Sequence, residues 1–231
     1  MKTTAIRDRS IHRGRDCVAG LCLLLASGCA GLRSETAPTP PSFYSLDRAL
    51  EGARTTAPAA QPASRTGPTL IVNAPQAAAG FDSQKIIYVR QAHKLEYFAH
   101  SEWVDPPARM LAPLIIPAIE ATGAFRAVVS MPGSASGDLR LETEVLLLQH
   151  EFGSQPSRVR FALRAYLAED GTRRVVATRD FEAVQSAPSE DPYGGVQAAN
   201  AAVRSVLEAL AAFCAETAAA WQPARKSAQS R

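Results

Sequence analysis

Cys29 is the residue of this 231-residue chain whose type and setting most directly bear chemistry. It closes Leu25-Ala26-Ser27-Gly28-Cys29, which resembles a bacterial lipobox, with Ala26 where leucine is usual. In that chemistry the thiol takes a diacylglyceryl group, the peptide before it is cleaved, and the freed amine receives a further acyl chain such as palmitate. A cysteine is required because the thiolate is the nucleophile that forms the thioether. The residues ahead fit the same reading. Lys2, Arg7, Arg9, Arg13 and Arg15 precede a short apolar stretch from Cys17 to Gly28, the charged and apolar regions of a secretory signal. That stretch falls short of the ~20 residues that span a bilayer. Ala30 follows the cysteine, where an aspartate would point to inner-membrane retention. The expectation is a lipid-anchored protein on the periplasmic face of the bacterial outer membrane.

Other chemistry is sparse. His12 lies in the signal, and His93, His100 and His150 are scattered without metal-ligand spacing or a cysteine partner. No G-x-S-x-G elbow, Walker A loop or G-x-G-x-x-G fingerprint occurs. Cys214 sits in a helical apolar pattern and reads as a buried, inert thiol. Once Cys17 and Cys22 leave with the signal and Cys29 is acylated, Cys214 has no intramolecular disulfide partner. Gly194-Gly195 read as a flexible approach to a helix, with an anion cradle as the lesser alternative. Glu142 and Glu144 read as charge partners of neighbouring basic strands. The row Arg158, Arg160 and Arg164 reads as a solvated, cross-paired face, with phosphate headgroups as its lesser alternative. Catalytic, cofactor and metal residues are therefore expected to be absent, and the chain is expected not to be an enzyme.

Composition narrows the class. The chain is 46% hydrophobic and 20% charged, with a mean hydropathy of −0.08, which excludes a polytopic membrane protein and a wholly disordered chain. The formal charge of +3 is an effect of the signal, which carries five basic and two acidic residues. Of the 25 basic and 22 acidic residues, twenty of each remain after cleavage, so no nucleic-acid footprint is left.

The elements that must position any site follow the signal (1–28). Residues 29–66 are rich in Pro, Ala, Ser and Thr and read as an extended tether. Its island Phe43-Tyr44-Ser45-Leu46 reads as a short strand or hook docked on the domain, with a partner or membrane contact as the alternative. The domain is expected over 67–220, followed by a polar tail, 221–231. Thr69–Asn73, Lys85–Arg90, Lys94–Ala99 and Phe125–Val129 read as strands. Between the last two, Pro106-Pro107 open a helix with Asp105 as its N-cap, Trp103 anchoring the turn before it and Gly123 as its C-cap. Pro113 and Pro117 are expected to kink it.

Three alternating runs follow, Asp138–His150, Arg158–Leu167 and Arg173–Gln185, with Leu139, Leu141, Val145 and Leu147 inward on the first. The turn Glu169–Thr172 joins the last two. A helix from Tyr193 to Ala220 carries an apolar stripe that should lie on the sheet. The expected fold is α+β: one domain, a mixed sheet with an antiparallel meander, and at least two packed helices.

Several of these segments, in order, resemble the auxiliary lipoproteins of ABC-type intermembrane lipid transport systems. The resemblance rests on Cys29, Phe43-Tyr44-Ser45-Leu46, Leu70-Ile71-Val72 and Lys85–Tyr88. It continues through Tyr97–Ser101, Trp103, Pro106-Pro107, Met110-Leu111, Ala118–Glu120, Gly123, Phe125 and the strand from Asp138. It implies a non-enzymatic α/β domain that docks on an MCE-domain protein served by an ABC permease and ATPase, or accepts lipid, phospholipid or sterol, from it. Self-association into a homo-oligomer is compatible with it. Only Cys29 carries over as a site residue. The rival reading is a structural or assembly lipoprotein that binds a protein partner through an exposed sheet edge.

Overall fold

Apolar–polar alternation builds the longest strands, and the remaining elements are arranged along them. The computed structural model describes residues 40–46, 64, 66–131 and 136–222. In chain order these form β1 (Ser42–Tyr44), β2 (Thr69–Val72), β3 (Gln76–Ala77), β4 (Lys85–Gln91) and β5 (Lys94–Trp103). There follow α1 (Pro107–Glu120), β6 (Ala127–Ser130), β7 (Leu139–Glu151), β8 (Arg158–Glu169), β9 (Val175–Ser186) and α2 (Pro192–Ala220). The expected α+β class is what the chain adopts: a nine-stranded mixed sheet with two helices packed on it.

β7 organises the sheet. One edge pairs antiparallel with β8, which pairs antiparallel with β9. Its other edge is shared by three short parallel strands in succession: β2 beside Leu139–Leu141, β3 beside Glu144–Val145 and β4 beside His150–Glu151. Two arms result. β6 extends the β2 arm, and β5 then β1 extend the β4 arm. The β1 pairing shows that the aromatic island docks as a strand, and Leu46 just beyond it is fully buried in the core.

The core lies between one face of the meander and the helices. Leu141, Val145, Phe161, Leu163, Leu167 and Phe181 meet Val203, Val206, Leu207, Leu210 and Phe213 of α2. By length and composition alone α2 qualifies to cross a membrane, but more than half of its most apolar window is buried in the protein, which makes it a core helix.

Four expectations about local detail are corrected. A register shift between Val145 and Leu147 changes the phase of β7, so Leu148 and His150 turn inward and Leu147 is only half-buried. α1 runs unbroken through Pro113 and Pro117. Four residues apart, both prolines lie away from the buried Leu111, Leu114, Ile115 and Ile119. The carbonyls they leave without an N–H donor, on Arg109 and Pro113, belong to exposed residues that water can satisfy. Asp105 does not cap α1. Pro106 occupies the N-cap position without a side-chain bond, while Asp105 pairs with Arg109 at 3.3 Å. The C-cap is Ala121, and Gly123 stands two residues on at φ 65°.

One buried ion pair ties the meander to the β2 arm. Arg140 and Asp170 are both largely buried, and the Arg140 guanidinium also donates to Asn73 Oδ1 at 2.8 Å. Asp170 in turn accepts from the Gly137 N–H at 3.0 Å, which with Arg140 holds its carboxyl below the usual range.

Two substitutions test this architecture by denaturant unfolding. Leu46→Ala should cost ~2–5 kcal/mol, the usual range for emptying a closed core site, although Leu46 lies in a Pro-rich stretch. A cost near zero would mean the island is not docked in solution. Asp170→Ala should cost ~3–5 kcal/mol, because it strands Arg140 without its counter-charge.

Candidate functional site

Cys29 lies outside the described residues, as do the signal and the chain up to 39. The remaining candidates fall within the domain. Cys214 is fully buried, with its pKa pushed up to about 12 by burial, so the thiol is inert as expected. No cluster of metal-ligating side chains occurs among the described residues.

The basic row faces outward and is cross-paired. Arg158 and Arg160 both meet Glu151, at 3.1 and 3.0 Å. Arg164 makes a bidentate pair with Asp180, both bonds 2.7 Å, even though Glu144 is its register neighbour on the other side. Glu142 accepts from the Asn73 side chain at 3.3 Å rather than from a basic strand. The row is thus largely committed to internal partners.

Gly194 and Gly195 form the buried first turn of α2 and are not a flexible approach to it. The Asp191 carboxylate accepts from the Gly194 N–H at 2.8 Å and so supplies the negative charge that an anion would bring. Gly195 meets a feature that sequence reading left unassigned. A Cβ at that position would lie 2.5 Å from His150 Nδ1, so only glycine lets the helix close onto this ring.

His150 Nε2 and Ser157 Oγ are 2.8 Å apart, and the Ser157 N–H donates to Glu190 Oε1 at 2.8 Å. The types resemble a nucleophile and its base, but the setting does not serve catalysis. Ser157 is 0% exposed and His150 2%, and Nδ1 faces the glycine where a positioning carboxylate would be needed. The pair is structural: it closes the junction of β7, β8 and α2. Desolvation holds the His150 pKa below its ordinary value, against the pull of Glu190 and Asp191. In sequence, His150 gives no hint of this role, because its burial depends on the phase shift in β7.

What remains exposed at this end is aromatic and cationic. β4 and β5 form a hairpin around Ala92-His93, with His93 at φ 67°. Tyr88, Phe98 and Phe152 cluster on it, with the Tyr88 and Phe98 rings 4.6 Å apart and the Arg90 guanidinium 4.9 Å above Tyr88. Leu95 and Tyr97 are 43% and 48% exposed. A second aromatic group, Phe43, Tyr44 and Tyr193, borders an open cleft of about 440 Å³ floored by Asn200. Tyrosine and arginine are the residue types that usually anchor interfaces.

The His150 junction has a pH signature. Its native pKa is depressed, so the unfolded chain binds the extra proton. Stability should be full above pH ~7 and fall as pH drops below ~6.5 toward the native value. The carboxylates Glu151, Asp170, Asp180 and Glu190 are held low by hydrogen-bond donors, so their contribution is lost only below pH ~4.5. Between pH ~6.5 and 5 the melting temperature should therefore decline in the parent chain and much less in His150→Gln. A flat parent profile across that window would refute the assignment.

No curated protein matches the chain by sequence. Among solved structures it is similar to protein XCC0632 from Xanthomonas campestris, at 23% identity and a TM-score of 0.62, over 77% of this chain and 94% of that one. An uncharacterised protein aligns at 12% identity and a TM-score of 0.54, over 77% of this chain and 98% of its own. At these identities the likeness is one of fold. Protein CT253 from Chlamydia trachomatis aligns at 8% identity and a TM-score of 0.47, over 68% and 100%. Residues 49–211, more than half of the chain, match the ABC-type transport auxiliary lipoprotein component, which is a transport class and not an enzyme class. The chain belongs to the ABC-type transport auxiliary lipoprotein family.

Proposed function

We propose that this protein is a lipid-anchored docking or lipid-accepting component of an intermembrane lipid transport system, held at the periplasmic face of the outer membrane through Cys29. One observation carries the reading: the family match over 49–211 begins twenty residues after a cysteine set in a lipobox-like sequence. The partner is an MCE-domain protein with its ABC permease and ATPase, and the cargo is a phospholipid or sterol. The domain performs no chemistry on that cargo. Its part is to stand where the conduit ends, and the lipid anchor raises its local concentration there.

The unpaired outer edge of β9, twelve residues that bond only to β8 among the described strands, supports the second reading, an assembly lipoprotein that adds a partner's strand. The two separate in one experiment. Tagged protein purified from detergent-solubilised membranes should bring down an MCE protein with its permease or ATPase. Recovery of envelope-assembly proteins alone would overturn the transport assignment. In the same cells Cys29→Ala should abolish incorporation of labelled palmitate and release the protein from the outer-membrane fraction; unchanged labelling would remove the anchor from Cys29.

A further inference from the structure

We infer that the β4–β5 hairpin is the domain's contact with the bilayer, with Leu95 and Tyr97 seated at the boundary between phospholipid headgroups and acyl chains and Arg90 and Lys94 among anionic headgroups. The inference rests on the reading of Cys29 as the anchor and gives that anchor an orientation.

The first support is register. β1 lies parallel to β5, with Ser42 opposite Ser101 and Tyr44 opposite Trp103. Followed backwards, the chain reaches Pro40 alongside Ala99, on the side of the hairpin tip at Gln91–Lys94. The described chain therefore begins, at Pro40, on the tip side of β5. Ten residues lie between Cys29 and Pro40, so the eleven steps from one to the other have a contour of at most ~40 Å. From Ala99 to Lys94 the strand covers ~17 Å. The tip is within the anchor's reach without full extension.

The second support is surface chemistry. β1 covers the outer edge of β5 only from Ser101 to Trp103, so among the described residues Lys94–His100 has no strand on that side. On this uncovered arm Leu95 and Tyr97 are exposed, an arrangement that water penalises and that proteins usually cover. A tyrosine suits a membrane interface because its ring is apolar and its hydroxyl stays hydrated. Arg90 and Lys94 outnumber Glu96, which bonds to Lys94 at 3.1 Å. The tip is thus net cationic, the sign that anionic phospholipids attract. A leucine, a tyrosine and two cations make a weak contact alone, sufficient to orient a domain already held by acyl chains.

The test uses the full chain, expressed as a membrane protein and reconstituted in vesicles of phosphatidylethanolamine and phosphatidylglycerol. An environment-sensitive fluorophore is attached at Leu95→Cys and, in a separate sample, at Val175→Cys, an exposed position on β9 distant from the tip. Cys214 is buried and stays unlabelled in the folded protein. Position 95 should show blue-shifted emission and several-fold stronger quenching by nitroxide lipids than position 175. Equal quenching at both positions overturns the inference, as does cross-linking of position 95 to a second copy or another protein in place of lipid contact.

Mass analysis of the N-terminal peptide from the same sample reports acylation. Acylated Cys29 with no quenching at 95 defeats the hairpin contact alone. Unmodified Cys29 defeats the anchor reading; because its thiol then carries label too, the hairpin contact is read as the excess of quenching over the parent chain labelled in the same way. In the acylated chain, Arg90→Gln with Lys94→Gln should lower quenching at 95 in anionic vesicles and leave it unchanged in neutral ones.

Discussion

Everything in this fold depends on β7 being longer than any strand that flanks it on one side. Its thirteen residues run along β8 on one edge, with one register shift between Val145 and Leu147, while the other edge is divided among β2, β3 and β4. A long strand with short neighbours would leave N–H and C=O groups bare, so three segments must arrive in parallel orientation to fill it. Each arrival fixes a loop, and the loops in turn fix where the helices lie. α1 carries the chain from the β4 arm to the β2 arm, and α2 covers the meander. The core closes because the phase of β7 changes midway, which lets one strand serve both ends with inward side chains.

The electrostatics follow from the same plan. A meander with one face covered leaves the other to water, and that face carries Arg158, Arg160 and Arg164 with Glu182 and Asp180, while Glu151, itself buried, pairs with the first two arginines at its end. The exposed pairs among these are screened by water and stabilise little. Their effect is to keep a broad sheet surface hydrated. The largely buried Arg140–Asp170 pair differs in kind. It links three strands at the point where the β2 arm leaves β7, and it would be costly to break from one side.

The architecture was largely legible in the sequence, and the reasons are particular. Alternation in Arg158–Leu167 is strict enough to assign both faces of β8. The stripe from Val196 to Phe213 does the same for α2, and Phe43–Leu46 stands out because aromatics are costly to leave in a polar segment. The misassignments occurred where a local rule was overridden by its surroundings. A bulge inserts no recognisable residue type, so Leu147 and Leu148 could not be told apart. Two prolines in a helix look disruptive until their spacing puts both on the hydrated side. The candidate surface was less legible still. Leu95 and Tyr97 read as ordinary strand residues, and their exposure is visible only in the fold. Gly195 is explained only by a histidine forty-five residues away.

The burial of Cys214 has a consequence for a chain proposed to work on the periplasmic side of a membrane. An unpaired thiol in an oxidising compartment is an invitation to form mixed disulfides with other chains, and a secreted protein normally avoids it. Here the thiol is enclosed beneath α2 and held protonated, so Cys214 is silent toward oxidants while the domain is folded. Silence lasts only while α2 is seated on the sheet. The rate at which this one sulfur becomes reactive is therefore a built-in clock for the opening of the domain, readable with a thiol reagent and no added label.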